Sequence, residues 1–175
     1  MAVVTQPLRE EHKQLLPHIE RLREAADAVG ELPAATLRRR LDAAYEFLAH
    51  HLIPHAEAED RALYPVVGRM LGAREATATM SRDHVEVGRL TQELAALMAK
   101  LSGDVVRPEV TRDLRRVLYG LHTLVKVHFA KEEEVYLPIL DARLSPEEAR
   151  HMFEAMERAA KEVKGSKREK IGAPR

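Results

Sequence analysis

Residues 51–65 read HLIPHAEAEDRALYP. His51 and His55 stand four apart, Glu59 follows four later, and Pro54 interrupts what otherwise reads as helix. Residues four apart on a helix lie nearly one above the other, so the stretch gathers titratable groups on one face. A solvated face would carry Lys and Glu, and a core face would carry Leu. A second stretch supplies the reason. Residues 128–138, HFAKEEEVYLP, repeat residues 55–65, HAEAEDRALYP: histidine, glutamate at +4, an acid at +5 and proline at +10 coincide, at an offset of 128 − 55 = 73. The shorter strings EEH, ending at His12, and RDH, ending at His84, repeat at 84 − 12 = 72. The chain therefore reads as two helical hairpins, each with one histidine on its first helix and His-x-x-x-Glu on its second.

The surrounding sequence agrees with helix throughout. Leu8, Leu15, Ile19, Leu22 and Ala26 follow helical spacing up to a stop at Gly30. Leu37, Leu41, Ala44, Leu48 and Leu52 form a second stripe that opens near Pro33 and closes at Pro65. A third helix runs through MSRDHVEVGRLTQELAALMAKL to Ser102-Gly103, and a fourth opens near Pro108 and closes at Pro138. Ser145, Pro146 and Glu148 form a capping box that starts a fifth. No alternating β-branched run predicts a strand. The expected fold is all-α: an up-down four-helix bundle with an additional C-terminal helix at 146–164, together spanning 1–164, followed by a flexible basic tail at 165–175.

Lys+Arg and Asp+Glu balance at 28 each in 175 residues, so no global charge draws the chain to nucleic acid or to an anionic membrane. The absence of cysteine excludes disulfides, thiolate metal sites and a cysteine nucleophile. No leader-like or membrane-spanning apolar run is evident, and a soluble cytoplasmic monomer or homodimer is expected.

If both His-x-x-x-Glu faces turn inward, His12, His55, His84, His128, Glu59 and Glu132 meet in the bundle. Six such groups buried together are costly without compensating charge. Two divalent or trivalent cations supply it, and a sulfur-free N/O set suits iron or manganese better than zinc. His51 and Tyr136 share the ligand face and are candidates to hydrogen-bond a ligand. Pro54 is expected to free a carbonyl for a ligand imidazole. His18, His50, His122 and His151 read as surface or unrelated histidines. Tyr64, nine after His55, falls on the opposite side and reads as packing.

These motifs, over about residues 7–140, resemble the hemerythrin-like family, the HHE cation-binding domain. The resemblance implies a four-helix bundle with a non-heme centre of two iron ions joined by an oxo, hydroxo or water bridge. His12 and His55 would cap one iron, His84 and His128 the other, with Glu59 and Glu132 bridging. It departs from the oxygen-carrying members at Gly88, where they have a histidine four after the first on the third helix. It departs also in having Glu132 at +4, with Glu133 at +5, in place of an aspartate at +5. One fewer nitrogen implies a more open site. That favours handling or sensing of peroxide, with catalase- or peroxidase-like turnover one form of it, among the small oxidants O2, H2O2 and NO. The alternatives are a non-catalytic iron-binding or redox sensor module and a reversible O2 carrier.

Overall fold

The computed structural model describes residues 3–101 and 107–172, with side chains described as far as 163. Helix α1 (Gln6–Ala28) buries Leu8, His12, Leu15, Ile19, Leu22 and Ala26 along one stripe. It ends where Gly30 takes a left-handed φ of 85°, a conformation a side chain disfavours. Helix α2 (residues 34–71) is a composite. Its α-helical parts Ala34–Phe47, Ile53–Ala58 and Tyr64–Leu71 are joined by π turns at Leu48–Leu52 and Glu59–Leu63. Gly72, φ 68°, closes it. A 3-10 turn, Arg74–Thr77, leads into α3 (Ala78–Met98). Helix α4 (residues 108–143) is likewise composite: Pro108–Lys131 and Leu137–Arg143 flank a π turn at Glu132–Tyr136. Helix α5 (Pro146–Gly172) opens on the expected capping box, in which the Glu148 N–H donates to Ser145 Oγ at 3.2 Å and the Ser145 N–H donates to Glu148 Oε2 at 2.8 Å. The expected end of α3 at Ser102-Gly103 and the last three residues of the expected tail lie outside the described residues, as do the side chains beyond 163.

Pro65 and Pro138 do not end their helices, which continue to Leu71 and Arg143. Each follows a π turn instead. Ile53, Tyr64 and Leu137 donate their N–H to the carbonyl five residues back, at Leu48, Glu59 and Glu132, and the next residue in each case is proline. A proline in an α-helix lacks its N–H and collides with the carbonyl four residues back. One extra residue in the preceding turn moves that carbonyl aside, so the helix carries on through the proline.

Helix α1 packs on α2 and α4, and α3 packs on α2 and α4, which closes an up-down ring. α5 lies outside the ring against residues 53–63 of α2, through the stripe Ala149, Met152, Met156, Ala159 and Val163. The apolar interior is split in two. One cluster holds Ile19, Leu22, Leu37, Leu41, Leu94, Leu114 and Leu118. The other holds Leu8, Leu63, Val67, Met80, Leu137 and Leu140 with the methionines of α5. A fully buried leucine contributes roughly 1.5–3 kcal/mol, so either cluster far outweighs any surface ion pair. Between them every ring helix carries polar side chains at the same level. No helix among the described residues is long and apolar enough to cross a membrane.

Candidate metal centre

The polar layer is formed by His12 of α1, His55 and Glu59 of α2, His84 of α3, and His128 and Glu132 of α4. Glu59 and Glu132 are wholly buried, and His12, His55 and His128 are nearly so. Glu132, not Glu133, faces the centre; Glu133 lies at the edge with its side chain 31% exposed. The donor atoms converge. His55 Nε2 lies 3.1 Å and His12 Nε2 3.8 Å from Glu59 Oε1, and His84 Nε2 lies 3.4 Å from Glu59 Oε2. His12 Nε2 is 3.4 Å from Glu132 Oε2 and His128 Nε2 is 3.5 Å from Glu132 Oε1. Two groups, His12 with His55 and Glu59, and His84 with His128 and Glu59, each bring three donor atoms within 4.8 Å of one another.

Each histidine is oriented from behind by a carboxylate on Nδ1. Glu133 accepts from His12 at 2.8 Å, Asp60 from His84 at 2.9 Å and Asp83 from His128 at 3.0 Å; Glu11 lies 3.2 Å from His55 Nδ1. A carboxylate only accepts, so Nδ1 carries the proton and the Nε2 of a neutral ring turns its lone pair inward. Three of these carboxylates are themselves anchored, Glu133 by Arg9, Asp83 by Lys131 and Asp60 by Ser81. The pairing follows the repeat. Glu11 and Asp83, each preceding the first-helix histidine, serve the second-helix histidine of their own hairpin. Asp60 and Glu133, each following the inner glutamate, serve the first-helix histidine of the other hairpin. Sequence reasoning missed these four, although the matching acids at −1 and +5 stood in the repeat. The expected carbonyl partner for a ligand imidazole near Pro54 is replaced by Glu11.

Among the described residues, five buried atoms facing the centre have no hydrogen-bond partner: His12 Nε2, His55 Nε2, both oxygens of Glu59, and Glu132 Oε2. His84 Nε2 and His128 Nε2 stand 3.0 Å apart. With both Nδ1 protons committed to carboxylates, two inward lone pairs at that distance repel unless a proton or a cation lies between them. Burial opposes charge on Glu59, but the imidazoles of His55, His12 and His84 outweigh it and hold its carboxyl well below the usual range. Burial likewise pushes His55 and His84 down. Glu59 and Glu11 raise His55 well above its usual value, and Asp60 and Glu59 bring His84 up to about 9. The layer thus holds opposite charges together, and the sulfur-free donor set fits hard or borderline cations.

The other predicted site residues lie elsewhere. His51 is exposed and stacks on Phe47 at a ring distance of 6.4 Å. Tyr136 donates its hydroxyl to the Ala76 carbonyl at 3.1 Å, away from the layer. Tyr64, read from the sequence as packing, does the opposite. Its hydroxyl donates to Glu132 Oε1 at 2.7 Å and stands 3.1 Å from His128 Nε2 and 3.4 Å from His84 Nε2. The π turns account for both. Five residues along an α-helix turn through about 140° and four through about 40°. The extra residue at Glu59–Leu63 gives Tyr64 the azimuth of a +4 position relative to Glu59. The same extra residue at Glu132–Tyr136 turns Tyr136 back by about 100° to a +3 azimuth, where its hydroxyl reaches the Ala76 carbonyl.

Phe129 stacks on the His12 ring at 4.1 Å and shields that side. The side facing α2 and α3 is open. A groove of about 600 Å³ there is lined by Asp60, His84, Val85, Gly88 and Thr91. A β-carbon added at Gly88 would meet nothing within 4 Å.

Residues 3–140 match the family model described as the hemerythrin HHE cation binding domain. Comparison with curated proteins finds no match. Comparison with solved structures finds none either.

Proposed function

The chain belongs to the hemerythrin HHE cation-binding family, and on that premise we propose that it holds two iron ions in the polar layer and uses them to process a small oxidant, peroxide above all. The observation that carries the reading is the set of five partnerless buried nitrogen and oxygen atoms aimed at one centre between two apolar clusters. His12 and His55 are assigned to one ion and His84 and His128 to the other, with Glu59 and Glu132 between them. Glu59 is suited to bridging because each of its oxygens approaches a different histidine group. An all-N/O set with two shared carboxylates suits iron or manganese, while zinc prefers a single tetrahedral site.

When bound, such a pair of ions supplies reversible electron transfer to oxygen-containing ligands. The protein contributes orientation and exclusion. Glu133, Glu11, Asp60 and Asp83 fix the four imidazoles with Nε2 inward and raise their basicity. The two apolar clusters and Phe129 leave His12 only 2% exposed, although a groove of about 470 Å³ runs past it. The groove beside Gly88 leaves an approach to the His84 side wide enough for peroxide, O2 or NO. That openness favours reaction at the centre over simple carriage.

Mixing iron-loaded protein with hydrogen peroxide in a stopped-flow instrument tests the reading. Gas evolution or repeated consumption over many equivalents is expected. A single stoichiometric colour change that stops after one equivalent would replace turnover with sensing or carriage.

A further inference from the structure

Tyr64 aims its hydroxyl at the layer and lies outside the six-residue ligand set. Its hydroxyl oxygen is 3.1 Å from His128 Nε2, 3.4 Å from His84 Nε2 and 2.7 Å from Glu132 Oε1, and those two nitrogens are 3.0 Å apart. An ion about 2.1 Å from each of its ligands places neighbouring ligands about 3.0 Å from one another. With His128 Nε2 3.5 Å from Glu132 Oε1, these separations are those of neighbouring ligands in one coordination sphere, and the phenol oxygen holds one of its corners.

The repeat supplies no equivalent oxygen to the other histidine pair. In the repeat the counterpart of Tyr64 is 64 + 73 = 137, a fully buried leucine, and the counterpart of Tyr136 is 136 − 73 = 63, also a fully buried leucine. The two tyrosines are one residue out of register. The π turns therefore send one inward and the other to the Ala76 carbonyl. The two halves of the centre, alike in histidine and glutamate, differ in this one donor.

Resting on the di-iron reading, we infer that Tyr64 is a metal ligand, its phenol oxygen binding the ion held by His84 and His128 and making the two iron positions chemically unequal. The Glu132 carboxylate, 2.7 Å from the phenol oxygen, makes its surroundings negative when no ion is bound. A bound cation reverses the sign of the local field. Coordination exchanges the phenol proton for the metal, and the proton leaves to solvent. A hard anionic oxygen at one position would favour the ferric state there, so the two positions would differ in redox preference.

The test loads wild-type protein, Tyr64→Phe and Tyr136→Phe with ferrous iron without oxygen, then oxidises them in air. Iron per chain is measured by elemental analysis and the ferric form by visible absorption and resonance Raman scattering. Wild type and Tyr136→Phe are expected to show a tyrosinate-to-iron charge-transfer band with enhanced phenolate ring modes. Tyr64→Phe is expected to keep two irons and lose the band completely. Wild type holding two irons without phenolate modes, or Tyr64→Phe retaining them, would overturn the assignment and leave the di-iron reading standing. A wild type that binds no iron would overturn both.

Discussion

Stripping the ions from the centre is expected to cost the fold several kilocalories per mole. Without ions, five buried atoms, two imidazole nitrogens and three carboxylate oxygens, keep no hydrogen-bond partner among the described residues. An unsatisfied buried polar group costs about 1–3 kcal/mol, so the low end sets a floor of about 5 kcal/mol. That floor approaches the whole stability of many domains, about 5–15 kcal/mol. For a chain of this length 1 kcal/mol moves the melting point by about 2–4 °C, so chelation is expected to lower it by roughly 10–20 °C. The assay is thermal unfolding followed by far-ultraviolet circular dichroism, with metal-loaded and chelator-stripped protein in one buffer, and with metal restored to the stripped sample. Restoration is expected to recover the original midpoint. A stripped protein melting within about 3 °C of the loaded one would refute the view that the layer is built around ions.

The remaining expectations address the supports of the site and the fold. Asp60→Ala and Glu133→Ala each remove the carboxylate behind a histidine of the opposite hairpin and are expected to weaken metal binding by about 10–100-fold, read by competition with a chelator; unchanged affinity contradicts the role given to them. Ser145→Ala breaks the capping box and is expected to lower stability by about 1 kcal/mol in urea unfolding. The Ser145 N–H and hydroxyl hold Glu148 below its usual carboxylate range. A depressed folded pKa gives stabilisation that is present above the ordinary carboxylate pKa and is lost as pH falls through the folded one. Ser145→Ala keeps the N–H, the larger cause, and removes the hydroxyl, so it is expected to flatten the acid side of the stability profile only in part. Gly88→Ala adds a methyl group into open space in mid-helix and is expected to stabilise by about 0.5–1 kcal/mol in urea unfolding; destabilisation would contradict the open groove. Leu118→Ala, at a fully buried position, is expected to cost about 2–5 kcal/mol.

What could be read from the chain was whatever repeats at helical spacing. His55 with Glu59 and His128 with Glu132 are separated by four residues, and the matching offsets of His12 and His84 placed the two hairpins. Those spacings are local, and an ordinary α-helix carries them faithfully. Ser145 and Glu148 were legible for the same reason. The π turns were not legible, because no local propensity distinguishes them. Their trace was Pro54, Pro65 and Pro138 inside helical pattern, which reads equally well as a kink or a stop. Mistaking Pro65 and Pro138 for ends hid the extra residue before each, and with it the azimuth of every side chain beyond. That is why Tyr64 was turned outward and Tyr136 inward in the sequence reading, each the reverse of its place in the fold. The carboxylates behind the histidines were hidden differently. Asp60 and Glu133 act across hairpins, on His84 and His12, so their partners depend on how the ring closes and not on any spacing along the chain.

The central claim is that these residues hold a pair of iron ions. Elemental analysis of freshly isolated protein, wild type beside Glu59→Ala, tests it most directly. About two irons per chain in wild type, with a large loss in Glu59→Ala, is the predicted result. A wild type without metal, or a Glu59→Ala variant that keeps its full complement, would contradict it.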